Sequence, residues 1–248
     1  MPRIGLFGAL LASTTLLAGA SQAGVDKEAA PLRVLFVGNS FTKSNDLPAT
    51  VARLAAASGR HELQHRTVAY SGFRLGDHWN LGTARTALES GDWDVVVMQD
   101  VPSSLAEDQE HLRIWTSRFA DLARAADTRP ALLTVWPSLE RRSTLSDVIA
   151  SHRLAAQAAG ADLIPAAEAV QAAWRCGLHK SVYSRDLVHP SPLGTYVAAL
   201  VVYGAVHSAP VRSRRLYPVG ESPRTARLLQ AAAATALGHL PPPRHRCG

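Results

Sequence analysis

Four short apolar runs punctuate the chain, at residues 34–37, 95–98, 131–136 and 163–164. Each is too short for a helix and is bounded by Gly, Asn, Pro or charged residues. Such runs read as strands buried on both faces, as in a parallel sheet. A fifth segment, 61–69, mixes polar and apolar positions and reads as a more exposed strand. Between these runs the period changes to that of amphipathic helices. A helix is predicted from an Asp46 cap, with Pro48 in its first turn, to Ser58, where Gly59 ends it. Further helices are predicted at 83–90, 107–126, 144–159, 166–174 and 193–207, and a loop at 71–81. Strands alternating with helices from end to end predict an α/β fold with a doubly wound parallel sheet of about five strands.

Ends and composition refine this picture. Residues 1–23 read as a signal peptide: Arg3 is the basic start, 4–17 the apolar core, and small residues offer cleavage sites at 18–20 and 21–23. The run is short for a membrane span. A secreted or periplasmic protein without stable membrane insertion is therefore expected, with residues 24–31 as a polar leader. The chain of 248 residues suits one domain. A C-terminal arm at 211–248 carries one Ala-rich helix, 223–237, and a Pro-rich tail. The net charge of +6 comes largely from arginines in that arm. No aromatic residues interleave them in a stacking pattern, so nucleic acid is not the expected partner. Export makes a Cys176–Cys247 disulfide a possibility that sequence alone leaves open.

The candidate chemistry sits where the first apolar run breaks. Gly38, Asn39 and Ser40 follow it at once. A polar residue just past the carboxyl end of a parallel strand lies where open α/β sheets place ligands. A serine there needs a base, and the base needs an orienting carboxylate. Asp186-Leu187-Val188-His189-Pro190 offers both, in a loop that leads into a helix. The third need is donors for a developing oxyanion. The Ser40 N–H, Gly72 in the loop after the second strand, and the Gln99 side-chain amide at the end of the third are the candidates.

Taken together these blocks resemble the SGNH (GDSL-like) hydrolase superfamily. Gly38-Asn39-Ser40 falls where that family has Gly-Asp-Ser, Gly72 at its glycine block, and Gln99-Asp100 at its Asn-Asp block. Asp186 and His189 fall at its closing Asp-x-x-His. The resemblance covers about residues 32–207 and places an SGNH hydrolase-like domain at 32–210. It implies a three-layer flavodoxin-like fold, Ser40 as nucleophile, His189 as base and Asp186 as its orienting acid. It also implies an oxyanion hole from Ser40, Gly72 and Gln99, and no metal or organic cofactor. Three positions depart from the family: Asn39 stands for Asp, Gln99 for the oxyanion Asn, and Val97 for the family's glycine.

His61-Glu62-Leu63-Gln64-His65 competes as a zinc-protease signature. That chemistry needs a helix, and this segment reads as a strand. Residues four apart on a strand are roughly 13 Å apart, too far to share one zinc. Asp77-His78 is a second acid–base pair without its own nucleophile, and Trp136-Pro137 is a candidate wall of the cleft. The sequence therefore points to an exported serine hydrolase acting on an ester, with a short acyl group on a carbohydrate or envelope polymer as the expected substrate. A non-catalytic binding module on the same fold is the reading from another class, kept open by Gln99.

Overall fold

A computed structural model describes residue 1, residues 30–218 and residues 220–241. The expected signal peptide, most of the leader and Cys247 lie outside the described residues. Five strands form one sheet: β1 (Leu32–Gly38), β2 (Leu63–Ala69), β3 (Val95–Met98), β4 (Arg129–Leu133) and β5 (Asp162–Ile164). Every neighbouring pair is parallel, and the order is β2-β1-β3-β4-β5. This is the flavodoxin-like order, and its direction reverses beside β1. The carboxyl ends of β1 and β3 flank the crevice created there.

Side-chain alternation along the strands builds two cores. Val34 and Phe36 of β1, with Val95 and Val97 of β3, face one helical layer. Leu35 and Val37, with Val96 and Met98, face the other. The first layer holds α2 (Leu47–Ser58), α7 (Ala166–Arg175), α8 (Pro192–His207) and α9 (Pro223–Ala236). The second holds α3 (Leu75–Leu81), α4 (Thr83–Glu89), α5 (Ala106–Ala125) and α6 (Leu145–Ala159). A one-turn helix α1 (Ser40–Lys43) follows β1 directly. Helix α8 is apolar nearly all round because α2, α7 and α9 cover it.

Two elements differ from the sequence-based expectation. The first is α3, which occupies most of the expected 71–81 loop. Its Gly76 does not signal flexibility: a Cβ there would lie 2.7 Å from Trp115 Nε1 and 2.8 Å from His111 Cε1, so the glycine lets α3 lie close against α5. Second, β4 begins at Arg129 and contains Pro130, which sits opposite Val96. Pairing with β5 starts only at Ala131, so Pro130 lies on a locally open edge where its missing N–H costs nothing. The C-terminal helix forms where it is expected, as α9. Leu229 and Ala233 of α9 belong to the same core as β1, and buried Gln230 bonds to the Tyr196 hydroxyl and to Ser213. The described part of the arm is thus built into the domain.

One core group makes stability depend on pH. His152 of α6 is fully buried, its Nδ1–H donating to the Val148 carbonyl at 2.9 Å. Burial pushes its ring down to about 4 from the ordinary 6.5. The unfolded chain then takes up a proton below pH 6.5 that the fold refuses until about pH 4. Stability is retained above that window and falls through it, by up to about 3 kcal/mol. His152→Leu should gain on the wild type as urea midpoints are followed from pH 7 to pH 4. A constant difference across that range would remove His152 as the cause.

Candidate active site

The site is assembled at the carboxyl edge of the sheet. Ser40 begins α1 and is half-buried. His189 lies in the loop before α8, 149 residues later, and its Nε2 is 2.9 Å from Ser40 Oγ. Its Nδ1 is 2.6 Å from Asp186 Oδ2. An ionised carboxylate only accepts, so Nδ1 carries the proton and Nε2 presents its lone pair to the serine hydroxyl. The sequence-predicted trio is therefore one hydrogen-bonded chain.

The histidine loop is tied down at both ends. Asp186 Oδ1 accepts from the Ser184 hydroxyl at 2.6 Å, the Val188 N–H at 2.9 Å and the His189 N–H at 3.0 Å. These bonds, led by Ser184 and followed by the His189 ring, hold the Asp186 carboxyl well below the usual carboxylate range. Leu187 takes a left-handed φ of 57°, which lets the chain fold back on that carboxylate. At the other end, Asn45 Nδ2 donates to the Pro190 carbonyl at 2.9 Å and to Thr195 Oγ1 at 3.0 Å. Asn45 itself has φ 52°, a conformation asparagine tolerates better than most residues. It couples the serine loop to the histidine loop. Sequence reading missed it, and the Asn45-Asp46 turn pair was its only signal.

The turn carrying Ser40 is held from beneath. Gln99 Oε1 accepts from the Asn39 N–H at 2.9 Å and from the Thr42 hydroxyl at 2.9 Å. Its Nε2 donates to the Asp100 carbonyl, and Gln99 is 1% exposed. The expectation of Gln99 as an oxyanion donor is corrected on this point. Two donors fix the oxygen inward, and the amide nitrogen is directed to a backbone carbonyl. Gly38 has to be glycine for the same reason, since a Cβ would stand 2.3 Å from Thr42 Oγ1 and 2.6 Å from Gln99 Oε1. His78 completes the support. It is fully buried and its Nε2–H donates to the Gly38 carbonyl at 2.7 Å. Burial pushes its ring below the ordinary histidine range. Asp77 accepts from the Arg74 N–H at 2.8 Å, so the Asp77-His78 pair braces the turn and is no second acid–base couple.

Asn39 explains its own departure from the family. Its Nδ2 donates to the Phe73 carbonyl at 3.0 Å while its Oδ1 accepts from the Phe41 N–H at 3.1 Å. An ionised Asp could not make the first bond. The bond ties the Ser40 turn to the Gly72 turn, where Gly72 has φ 77° and the Phe73 N–H closes on the Tyr70 carbonyl at 3.2 Å. Among the described residues, neither the Ser40 N–H nor the Gly72 N–H has an acceptor.

Neighbouring candidates sort out by geometry. Asp100 is fully buried, accepts from the Val101 N–H at 2.7 Å and lies 3.7 Å from Arg74 Nε. Burial pushes its carboxyl up to about 6. Trp136 is 1% exposed, and its ring meets that of Phe41 edge-on, ring centroids 5.5 Å apart. In the zinc-protease signature, His61 precedes β2 and His65 lies within it. The helix that would bring both to one metal is not formed.

Substituting Gln99 separates the two roles. Gln99→Leu leaves the Asn39 N–H and the Thr42 hydroxyl buried without an acceptor. It should cost about 2–4 kcal/mol in urea unfolding. A variant with unchanged stability and a selective loss of ester turnover would restore the oxyanion role.

No protein-family model matches the chain, and no curated protein matches it. Solved structures do. A Slackia heliotrinireducens protein described as an SGNH hydrolase is 29% identical, over 70% of this chain and 97% of that one, at a TM-score of 0.60. A DUF4886 family protein from Bacteroides uniformis superposes at 0.70 with 19% identity, over 84% and 95% of the two chains. A mutant of Axe2, an acetyl-xylooligosaccharide esterase from Geobacillus stearmophilus, superposes at 0.60 with 15% identity, over 75% and 100%. The last two show a shared fold. With the flavodoxin-like strand order, and with the first and last sequence blocks meeting on one sheet edge, the chain is similar to the SGNH (GDSL-like) hydrolases.

Proposed function

We propose that this protein is a serine ester hydrolase working through an acyl-enzyme, with Ser40 as nucleophile, His189 as general base and Asp186 as its orienting acid. The observation that carries the reading is the unbroken chain from Asp186 Oδ2 through the His189 ring to Ser40 Oγ, at 2.6 and 2.9 Å. Ser40 Oγ attacks the ester carbonyl carbon as its proton passes to His189 Nε2. The imidazolium is stabilised by Asp186 and returns that proton to the departing alkoxide, releasing the alcohol. Water, deprotonated by His189, then attacks the acyl-serine; the acyl–Oγ bond breaks, the proton passes from His189 to Ser40 Oγ, and the acid is freed. The oxyanion formed in each half is met by the N–H groups of Ser40 and Gly72. Gln99 contributes by fixing the turn.

The substrate class we assign is a short acyl ester on a carbohydrate or envelope polymer. The acetyl-xylooligosaccharide specificity of the fold neighbour Axe2 and the signal-like segment at residues 1–23 support it. Export through that segment would place the enzyme in the periplasm or outside the cell. The test is hydrolysis of p-nitrophenyl acetate by the purified protein, with stoichiometric inactivation by a serine-directed phosphonate and no loss in EDTA. Turnover that EDTA abolishes and the phosphonate spares would sink the serine reading.

A further inference from the structure

The C-terminal arm also builds a cleft. Its 3₁₀ turn, Arg214–Leu216, packs on α2, and the space between them and the start of α8 is about 450 Å³, a usual size for a ligand site. Arg215 and Tyr217 line it from the arm, and Thr50 and Arg53 from α2. Asn45 lines it too, and Asn45 Nδ2 donates to the carbonyl of Pro190, the residue after His189. The cleft is thus joined to the histidine loop, while none of Ser40, Asp186 and His189 lines it. Buried groups hold the arm's wall in place. The Tyr196 hydroxyl donates to the Leu216 carbonyl at 2.7 Å. Gln230 accepts from the Ser213 N–H at 3.1 Å and donates to the Ser213 carbonyl at 2.8 Å. Tyr196 and Gln230 are each 3% exposed.

The charge of the cleft has one sign. Arg53 and Arg215 are exposed, and no acidic residue lines the space. Among the described residues neither guanidinium has a carboxylate partner. Exposed Arg212 and Arg214 belong to the same segment and strengthen the positive potential. A guanidinium takes carboxylate and phosphate alike, through paired hydrogen bonds. The rest of the lining mixes hydrogen-bonding groups, such as Asn45 and Thr50, with apolar ones, such as Leu54 and Pro218. Sugar rings carry the same mixture, hydroxyls on the rim and C–H groups on the faces. A hydrocarbon chain matches only the apolar part. We propose that this cleft binds an anionic carbohydrate chain, Arg53 and Arg215 taking its carboxylate or phosphate groups, and that the arm thereby makes the enzyme select acidic over neutral polymers. The selection rests on the serine-hydrolase reading above; binding in the cleft does not require turnover.

The test has a binding arm and a turnover arm. Tetragalacturonate, phosphorylated maltotetraose and neutral maltotetraose are titrated by calorimetry into the wild type and into the double variant Arg53→Gln, Arg215→Gln. At least one acidic oligomer should bind the wild type tenfold or more tighter than the neutral one, and added salt should weaken it. The tighter of the two acidic oligomers names the acid group. The double variant should lose fivefold or more of that affinity; if it does not fold, the two single variants carry the test. For turnover, the acetylated form of the tighter acidic oligomer is compared with acetylated maltotetraose, with Ser40→Ala as background. The ratio of their kcat/KM values, taken within one preparation, should fall fivefold or more in the double variant. Acidic and neutral oligomers that bind the wild type alike overturn the proposal, as does a smaller loss in the variant. Absence of Ser40-dependent turnover on every ester, with the binding differences intact, would instead bring down the hydrolase reading and leave the cleft standing.

Discussion

Ser40→Ala should lower kcat on p-nitrophenyl acetate by about 10⁴-fold or more. The variant keeps the residue-40 backbone N–H and the Gly72 turn, so the proposed oxyanion contacts survive. What is lost is the oxygen that His189 Nε2 meets at 2.9 Å. His189→Ala should cost a similar factor, because an unassisted serine hydroxyl is a poor nucleophile at neutral pH. The double variant should be no slower than the worse single one, since the two groups act as a unit. Stability should change little, as among the described residues Ser40 Oγ bonds only to the histidine. Purified variants are compared by initial rate and by thermal midpoint. A Ser40→Ala protein that retains a tenth of wild-type activity would mean that another group does the chemistry.

The sequence was most legible where one local signal decided the structure. The apolar runs at β1 and β3 need burial on both faces and so place the sheet. The Asp-x-x-His spacing needs only a short loop to aim one group at the other, and Leu187 supplies it. Legibility failed where a side chain's partner lies far along the chain. Gln99 ends a strand pointing at the site, as an oxyanion donor would. Its direction is set by Asn39 and Thr42, 60 and 57 residues away. Gly76 looks like a loop residue until Trp115 is packed against it. His78 carries no sign of its role, because the Gly38 carbonyl it bonds is defined only by the fold. Two of the substitutions that separate this chain from the family pattern, Asn39 and Gln99, turn out to be coupled. Asn39 ties the serine turn to the Gly72 turn, and Gln99 holds that same turn to β3.

The second large effect falls on Asp186, and its loop geometry makes the substitution unusually clean. In Asp186→Asn the side-chain oxygen has to stay on Oδ1, where the Ser184 hydroxyl and the N–H groups of Val188 and His189 all donate. The new NH₂ therefore faces His189 Nδ1. That nitrogen must become the acceptor, so the ring proton moves to Nε2 and points at Ser40 Oγ. The base is then blocked by its own proton while the loop keeps every other bond. Turnover should fall by about 10²–10⁴-fold with an unchanged thermal midpoint. The lower end of that range follows from Asp186 being half-exposed, with 49% of its side chain in solvent that screens the imidazolium without its help. Asp186→Ala, by contrast, removes the three loop bonds as well and should lower both activity and stability. If Asp186→Asn keeps activity within tenfold of wild type, the carboxylate does not set the tautomer, and orientation of His189 falls to the backbone of its loop.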